Sequence, residues 1–333
     1  MNKNFRNILV VRTDRMGDLI LTIPAIRAIK SKYPCARLTV WVSETTRDLI
    51  DGLPFIDEVI VQDVHRGWIG YMLLVFTLFR ARFDLAIVFH TKQKTNLACF
   101  LAGIPVRLGY LNKKYGFFLT HPVKDERHLG KKHELDYCLD LLRMIGVEKA
   151  EPRLEVAVNA AVDAWAEAFV AQLPGKGPLV ALHPDASCVT RHWPIESFAL
   201  LSRRLSQERG VRVVIVGGSS TGTFAARIPG IDLTGKFTLA QFGAVLKRCA
   251  LLISNDSGPV HIAAAVGIPV ISLFLRCQPG LNPERWRPLS DKAVLLVNKP
   301  GEEIVIDSES RVLSGRFDSI TPDEVFSAAV KFL

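Results

Sequence analysis

The chain has no Cys-x-x-Cys pair, and its six cysteines stand singly at 35, 99, 138, 188, 249 and 277. That spacing argues against a disulfide framework or a zinc site and favours a reducing compartment. There is no Asp-x-Asp either, so nothing points to a divalent metal held by paired carboxylates. No Gly-x-x-x-x-Gly-Lys-Ser/Thr is present and no Gly-x-Gly-x-x-Gly follows the first strand, which argues against a P-loop NTPase and offers little for a dinucleotide dehydrogenase. No block of consecutive like charges marks a disordered nucleic-acid arm, and no basic stripe interleaved with aromatics marks a nucleic-acid surface. The polar start, Met-Asn-Lys-Asn-Phe-Arg-Asn, lacks the apolar core of a signal peptide, and a cytoplasmic protein is expected. The longest apolar run, Ile69 to Phe79, is shorter than the roughly 20 residues that span a bilayer. It reads as a buried helix of a first domain rather than a helix lying on a membrane, although Arg80 and Arg82 follow it.

What is present is ordinary globular material: 333 residues, 49% hydrophobic and 23% charged, a length that suits two domains. The net charge of +9 favours anionic partners such as phosphorylated substrates or acidic headgroups. In the first half, apolar strands at Ile8–Val11, Leu38–Val42, Glu58–Val61 and Leu85–Phe89 alternate with helical patterns. One of these, Leu19 to Lys30, carries Pro24 inside it or at a break. The stretch Glu151 to Val158 leads out to a helix over Ala160–Leu173, and Pro174-Gly-Lys-Gly-Pro178 then breaks the chain. The second half repeats the alternation, with strands at Leu179–Leu182, Val211–Val216 and Ala250–Ile253 and a helix over Pro194–Glu208. Thr238–Gln241 and Thr321–Glu324 have capping-box spacing. Alternating strands and helices predict α/β architecture with parallel sheets. The expectation is two doubly wound domains, 1–157 and 158–333, with ligand in a cleft at the carboxyl ends of the strands.

Three segments hold chemistry. The first is Val11-Arg-Thr-Asp-Arg-Met-Gly-Asp-Leu19, where Asp18 stands at a strand-to-helix junction. It suits either a helix N-cap or a general base toward a substrate hydroxyl, with Gly17 permitting close approach and Asp14 as the competing carboxylate. The second is the loop His183 to Pro194. Ser187 and Thr190 suit phosphate oxygens, Arg191 suits developing negative charge, and Trp193 suits a hydrophobic staple. His183 and His192 have no partners at metal spacing and read as structural. The third is Ser254-Asn-Asp-Ser-Gly-Pro-Val-His261, in which a strand meets a helix capped by Asp256 or Ser257 and ended by Gly267. With Pro259 at the helix start and His261 in the first turn, this is a place for a diphosphate against main-chain N–H groups. Basic residues for an acidic acceptor are Arg15, Arg66, Lys92, Lys94 and Arg107.

Taken in order, Arg12…Gly17-Asp18…Pro24, His183-Pro184…Arg191-His192-Trp193-Pro194 and Asn255-Asp-Ser-Gly-Pro-Val-His261 resemble glycosyltransferase family 9, the ADP-heptose:lipopolysaccharide heptosyltransferases, over nearly the whole chain. The resemblance implies a GT-B fold, two Rossmann-like domains facing across a cleft, with acceptor in the first and nucleotide sugar in the second. It implies an inverting, metal-independent transfer without a cofactor, at the cytoplasmic face of the inner membrane with peripheral contact. Asp18 then matches the catalytic base, and Arg191 a basic residue, usually Lys, on the donor diphosphate. Asp256, Ser257, Gly258 and His261 match the element holding diphosphate and sugar. Ser187 and Cys188 fall where hydroxyl residues bind phosphate, the cysteine being a departure, and Phe237 and Leu239 fall against the adenine. A second departure is the stretch Gly217–Thr223, which lacks the Glu that family members often place there for ribose. That absence keeps open a GT-B transferase using another nucleotide sugar, in O-antigen or capsule assembly. A non-catalytic nucleotide-binding module is the further rival; a base at Asp18 together with His261 argues against it.

Overall fold

The computed structural model describes residues 4–62, 67–111, 116–306 and 312–333. The chain forms two compact units, the first comprising Met1–His128 and Lys132–Pro152, the second Leu129–Lys131 and Arg153–Leu333. The units divide between Pro152 and Arg153, a few residues before the boundary expected after residue 157, in a stretch, 151–159, that is neither helix nor strand.

In the first unit the elements run β1 (Asn7–Arg12), α1 (Met16–Lys32), β2 (Arg37–Ser43), β3 (Glu58–Gln62), α2 (Gly67–Ala81), β4 (Leu85–Val88), α3 (Gln93–Leu101), β5 (Val106–Leu111), β6 (His121–Lys124) and α4 (Glu134–Leu142). The described strands form one parallel sheet in the order β3-β2-β1-β4-β5-β6. The chain order therefore reverses between β1 and β4, where Val11 pairs with Val88. Such a reversal opens a crevice at the carboxyl ends of the strands. β1 and β4 are apolar and buried on both faces, as strands covered by helices on both sides must be.

α1 continues straight through Pro24, where the sequence allowed a break. Interior proline costs about 3 kcal/mol. Leu19, Ile20, Leu21, Ile23, Ile26 and Ile29 are all essentially buried, and their burial outweighs that cost. For α2 the expectation of a buried helix is corrected. Leu74, Val75 and Leu78 are buried in the core, with Tyr71 and Ala81 packed against it, while Trp68, Ile69, Met72, Leu73, Phe76 and Phe79 are exposed. The helix lies on the sheet by one face, and high hydropathy all round does not reveal that its other face is uncovered.

The second unit begins with α5 (Ala160–Ala171) and continues through β7 (Leu179–His183), α6 (Ile195–Arg209), β8 (Arg212–Ile215), α7 (Gly222–Ala225), β9 (Ile231–Asp232), α8 (Leu239–Leu246), β10 (Leu251–Asn255), α9 (Gly258–Val266), β11 (Val270–Phe274), α10 (Pro283–Trp286), β12 (Ala293–Val297) and α11 (Pro322–Val330). A two-stranded antiparallel pair, β13 (Val305–Ile306) and β14 (Val312–Ser314), precedes α11. The main sheet has the order β12-β11-β10-β7-β8-β9, again parallel, with its reversal between β7 and β10.

Both expected capping boxes form, at the starts of α8 and α11. Trp193 packs edge-on against Phe198 at 4.8 Å, which is the N′-to-N4 staple of α6.

Candidate functional site

Arg12 is the last residue of β1, and its guanidinium is wholly buried. A buried charge must be paired and hydrogen-bonded. Here Nη1 donates to the Phe89 carbonyl at 2.6 Å, while Nη2 donates to Asp18 Oδ1 at 2.8 Å and to Glu134 Oε1 at 2.9 Å. Nε lies 3.0 Å from Asp14 Oδ1. Burial opposes the charge, but the carboxylates outweigh it and push the Arg12 pKa above its ordinary value.

Asp18 sits in the first turn of α1, where the helix dipole favours an anion. It is not the N-cap; Arg15 occupies that position. The Asp18 side chain is 18% exposed, whereas that of Glu134 is wholly enclosed. The carboxylate is thus held from within and presented outward.

Beside this cluster, Thr13 Oγ1 pairs with His90 Nε2 at 2.8 Å, and Lys92 Nζ donates to the Thr13 carbonyl at 2.7 Å. Burial lowers the His90 pKa to about 4, so it is neutral near pH 7. Arg127 grips Asp125 through two nitrogens at 2.9 and 2.8 Å, lies over the Tyr110 ring, and adds a donor to the Phe89 carbonyl at 3.2 Å.

Of the acceptor candidates, Arg15, Gly17, Lys92 and Lys94 lie at the carboxyl edge of the first sheet with Asp18. Arg107 does not. It follows Val106, which pairs with Leu85 at the amino end of β4, and its side chain bonds the carbonyls of Phe118 and Ile104. Arg107 thus lies away from the edge that holds Asp18. Arg66 lies outside the described residues.

In the second unit the register sets His183 beside Ser254. His183 Nδ1 meets Ser254 Oγ at 3.1 Å and Ser257 Oγ at 3.2 Å, and burial lowers its pKa to about 4. Asn255 ties the β7 loop to β10, accepting from the Trp193 amide and donating to the Pro184 carbonyl. Ser257 is the N-cap of α9 by position, but its hydroxyl makes no capping bond and instead joins His183, Ser254 and the Asn255 carbonyl. The expected side-chain cap is therefore absent; in the first turn Pro259 carries no N–H and the Val260 N–H donates to the Ser257 carbonyl at 3.2 Å, so an outside acceptor is met by the amides at the very start of the helix. Gly267 closes α9 in the left-handed region, φ 81°, as expected.

Arg191 Nη1 reaches the Asp256 carbonyl at 3.2 Å and Asp256 Oδ2 at 3.6 Å. Burial raises the Asp256 pKa, against the opposing pull of Arg191 and Arg276. Arg276, buried and not singled out by the sequence, donates to Thr190 Oγ1 at 3.4 Å. Thr190 is buried, Ser187 exposed, and Cys188 lies between them with Sγ 3.1 Å from Thr190 Oγ1. Burial pushes the Cys188 thiol up, but the Thr190 hydrogen bonds and the two arginines prevail and lower its pKa. His261 is buried in the first turns of α9, next to Gly258 and Pro259 at its start.

Phe237 packs its ring against Trp165 and Phe169, and Leu239, half-buried, opens α8. The Gly217–Thr223 loop, without an acid of its own, is bridged by Asp185 from the β7 loop. Asp185 Oδ2 accepts from Ser220 at 3.2 Å and from Thr221 at 3.0 Å.

Two doubly wound units, each with a polar cluster at its reversal point, are the architecture of a GT-B glycosyltransferase. The model of glycosyltransferase family 9 (heptosyltransferase) matches residues 73–312, and the chain belongs to that family. It is 24% identical, over 82% of its own length and 80% of the relative's, to the lipopolysaccharide core heptosyltransferase OpsX of Haemophilus influenzae. A family 9 glycosyltransferase structure from Veillonella parvula superposes with a TM-score of 0.84 at 23% identity, covering 100% of this chain and 98% of that one. The structure of Escherichia coli ADP-heptose LPS heptosyltransferase II gives 0.78 at 22% identity, covering 98% of both chains. The protein is therefore a glycosyltransferase.

Proposed function

We propose that this enzyme moves a heptose from ADP-heptose to a hydroxyl of the lipopolysaccharide inner core, with inversion and without a metal ion. The first unit is assigned the acceptor, and the second the nucleotide sugar. The observation that carries the reading is Asp18, a carboxylate fixed by a buried guanidinium yet partly open at the reversal point of its sheet. The names of OpsX and of the E. coli enzyme support the sugar, the donor and the glycolipid.

In this reading Asp18 takes the proton of an acceptor hydroxyl as that oxygen attacks the anomeric carbon from the face opposite the nucleotide. The bond from that carbon to the diphosphate breaks, and the electron pair leaves with the diphosphate. Growing negative charge is met by the main-chain N–H groups of Ser257 and Gly258 at the start of α9, with His261 and Arg191 beside them, within the segment headed by Asp256. Ser187, Cys188 and Thr190 line the diphosphate loop, and Phe237 and Leu239 lie by the adenine. Arg15, Lys92 and Lys94 offer cations to phosphorylated core sugars, with Gly17 allowing close approach. The reaction is placed in the cytoplasm, on a membrane-borne acceptor.

A transferase of the same fold using another nucleotide sugar is the second reading, favoured by the acid-free Gly217–Thr223 loop. Melting with ADP, UDP and GDP in EDTA separates the two, because a ligand of the native state raises its stability by mass action. ADP alone should raise the midpoint. A rise with UDP or GDP but not ADP overturns the heptose assignment, and a requirement for added metal overturns metal independence.

A further inference from the structure

The outer face of α2 has no role in the chemistry above, yet it carries six exposed large apolar side chains. Trp68 and Ile69 are 72% and 74% exposed, and Leu73, Phe76 and Phe79 are each more than half exposed. At 100° per residue these positions, with Met72, fall within one half of the helix circumference, while Leu74, Val75 and Leu78 fall in the other. A helix apolar on both halves, with one half packed on its own sheet, needs a second apolar medium for the other.

We infer that this face lies in the headgroup region of an anionic lipid bilayer and docks the first unit there. The charge pattern selects this occupant. From Gly67 to Leu111 the sole acidic residue is Asp84, and it is turned to the amides of Arg6 and Asn7 at the amino end of the sheet. Against it stand Arg80, Arg82, Lys92, Lys94 and Arg107. Arg80 rides over the Phe76 ring, and Arg107 over that of Phe100, so the cations border apolar surface. Phe100 and Leu101, exposed at the end of α3, add apolar surface on the helix packed beside α2. Apolar surface rimmed by cations and headed by an exposed tryptophan is what an interfacial helix presents to acidic headgroups. A second copy of the chain suits it less well, because an isologous contact would set this acid-poor rim against itself. No described helix is long and apolar enough to cross a membrane, so the contact is peripheral.

The placement bears on catalysis. In a strand–helix–strand unit the helix starts at the carboxyl edge, so Trp68 and Ile69 stand at the same edge as Asp18 and Lys92. The inference rests on the proposed reading only for its purpose, which is to bring that edge to a lipid-anchored acceptor.

The test is co-sedimentation of the full chain with vesicles of phosphatidylglycerol and phosphatidylcholine, compared with phosphatidylcholine alone. The wild-type protein should sediment with the anionic vesicles and be released by salt. A combined Ile69→Ser, Leu73→Ser, Phe76→Ser variant should lose binding by about tenfold or more. Its melting midpoint and its ADP-induced shift should stay those of the wild type. Arg80→Glu should weaken binding and reduce its salt dependence. Wild-type protein left in the supernatant, or a triple variant that binds normally, overturns the inference. So does a wild-type dimer in light scattering that the triple variant abolishes without any vesicle binding, which assigns the face to a second copy. A normal vesicle result with no ADP shift would instead count against the donor assignment.

Discussion

At the reversal point of the first sheet a guanidinium is surrounded by carboxylates. Asp14, Asp18 and Glu134 converge on Arg12, and Arg127 with Asp125 backs them. At the equivalent point of the second sheet the balance is inverted. One buried carboxylate, Asp256, lies among Arg191, Arg276, three hydroxyl or imidazole side chains and the start of a helix. Strand order is the same in both, as is the position of the cluster at the carboxyl ends of the central pair. The scaffold fixes where the polar cluster stands, and the residues placed there decide its character: carboxylates gathered on one guanidinium in one unit, cations, hydroxyls and a helix start around one carboxylate in the other.

The largest effect that sharpens this contrast is expected at Arg12. Arg12→Met takes from the enclosed Glu134 a guanidinium at 2.9 Å, while Arg127 stands off at 3.9 Å. Removing one partner of a buried pair costs about 3–5 kcal/mol. Denaturant unfolding should show a loss of that size, and pairing the change with Glu134→Leu should recover part of it. A loss under about 1 kcal/mol, the worth of a surface pair, would mean that the first cluster is not the buried ionic core described above.

A smaller effect concerns what the two sites share, a buried neutral imidazole. His90 and His183 both titrate near 4 in the native protein, because burial disfavours the charged ring. In the unfolded chain they take up a proton near 6.5. Between those values only the unfolded state binds it, so their contribution to stability is complete above the unfolded value and is lost as pH falls. At pH 5 the loss is about 2 kcal/mol for each ring. Asp256, whose pKa burial raises, works in the opposite sense. The midpoint should fall between pH 7 and pH 5, and His183→Asn should flatten the fall. An unchanged slope in that variant would mean that His183 takes up its proton as readily in the native protein as in the unfolded chain, which would break the parallel with His90.

How far the sequence foretold these sites follows from the range of each interaction. Capping boxes at Thr238 and Thr321, the Trp193–Phe198 staple and the glycine end of α9 are local and were readable. Alternation of strands and helices gave both sheets. Glu134 was not readable, since it meets Arg12 across 122 residues, and no spacing rule reaches that far. Asp185 likewise reaches the hydroxyls of the β8 loop only through the fold. The place of Arg107 at the amino end of its strand was not readable, because no strand was evident at 106–111 and so no sheet edge. Hydropathy marked α2 as apolar but did not say which half of it the sheet would cover.

The central claim is tested most directly by measuring turnover and ADP affinity side by side for Asp18→Asn and Arg191→Ala. The account predicts a double dissociation. Asp18→Asn should keep wild-type ADP affinity and lose about 10³-fold in kcat, the scale of a general base. Arg191→Ala should weaken ADP by about 10-fold or more, as loss of a charge-assisted contact does. Near-normal turnover in Asp18→Asn, or equal damage to ADP binding in both variants, would contradict it.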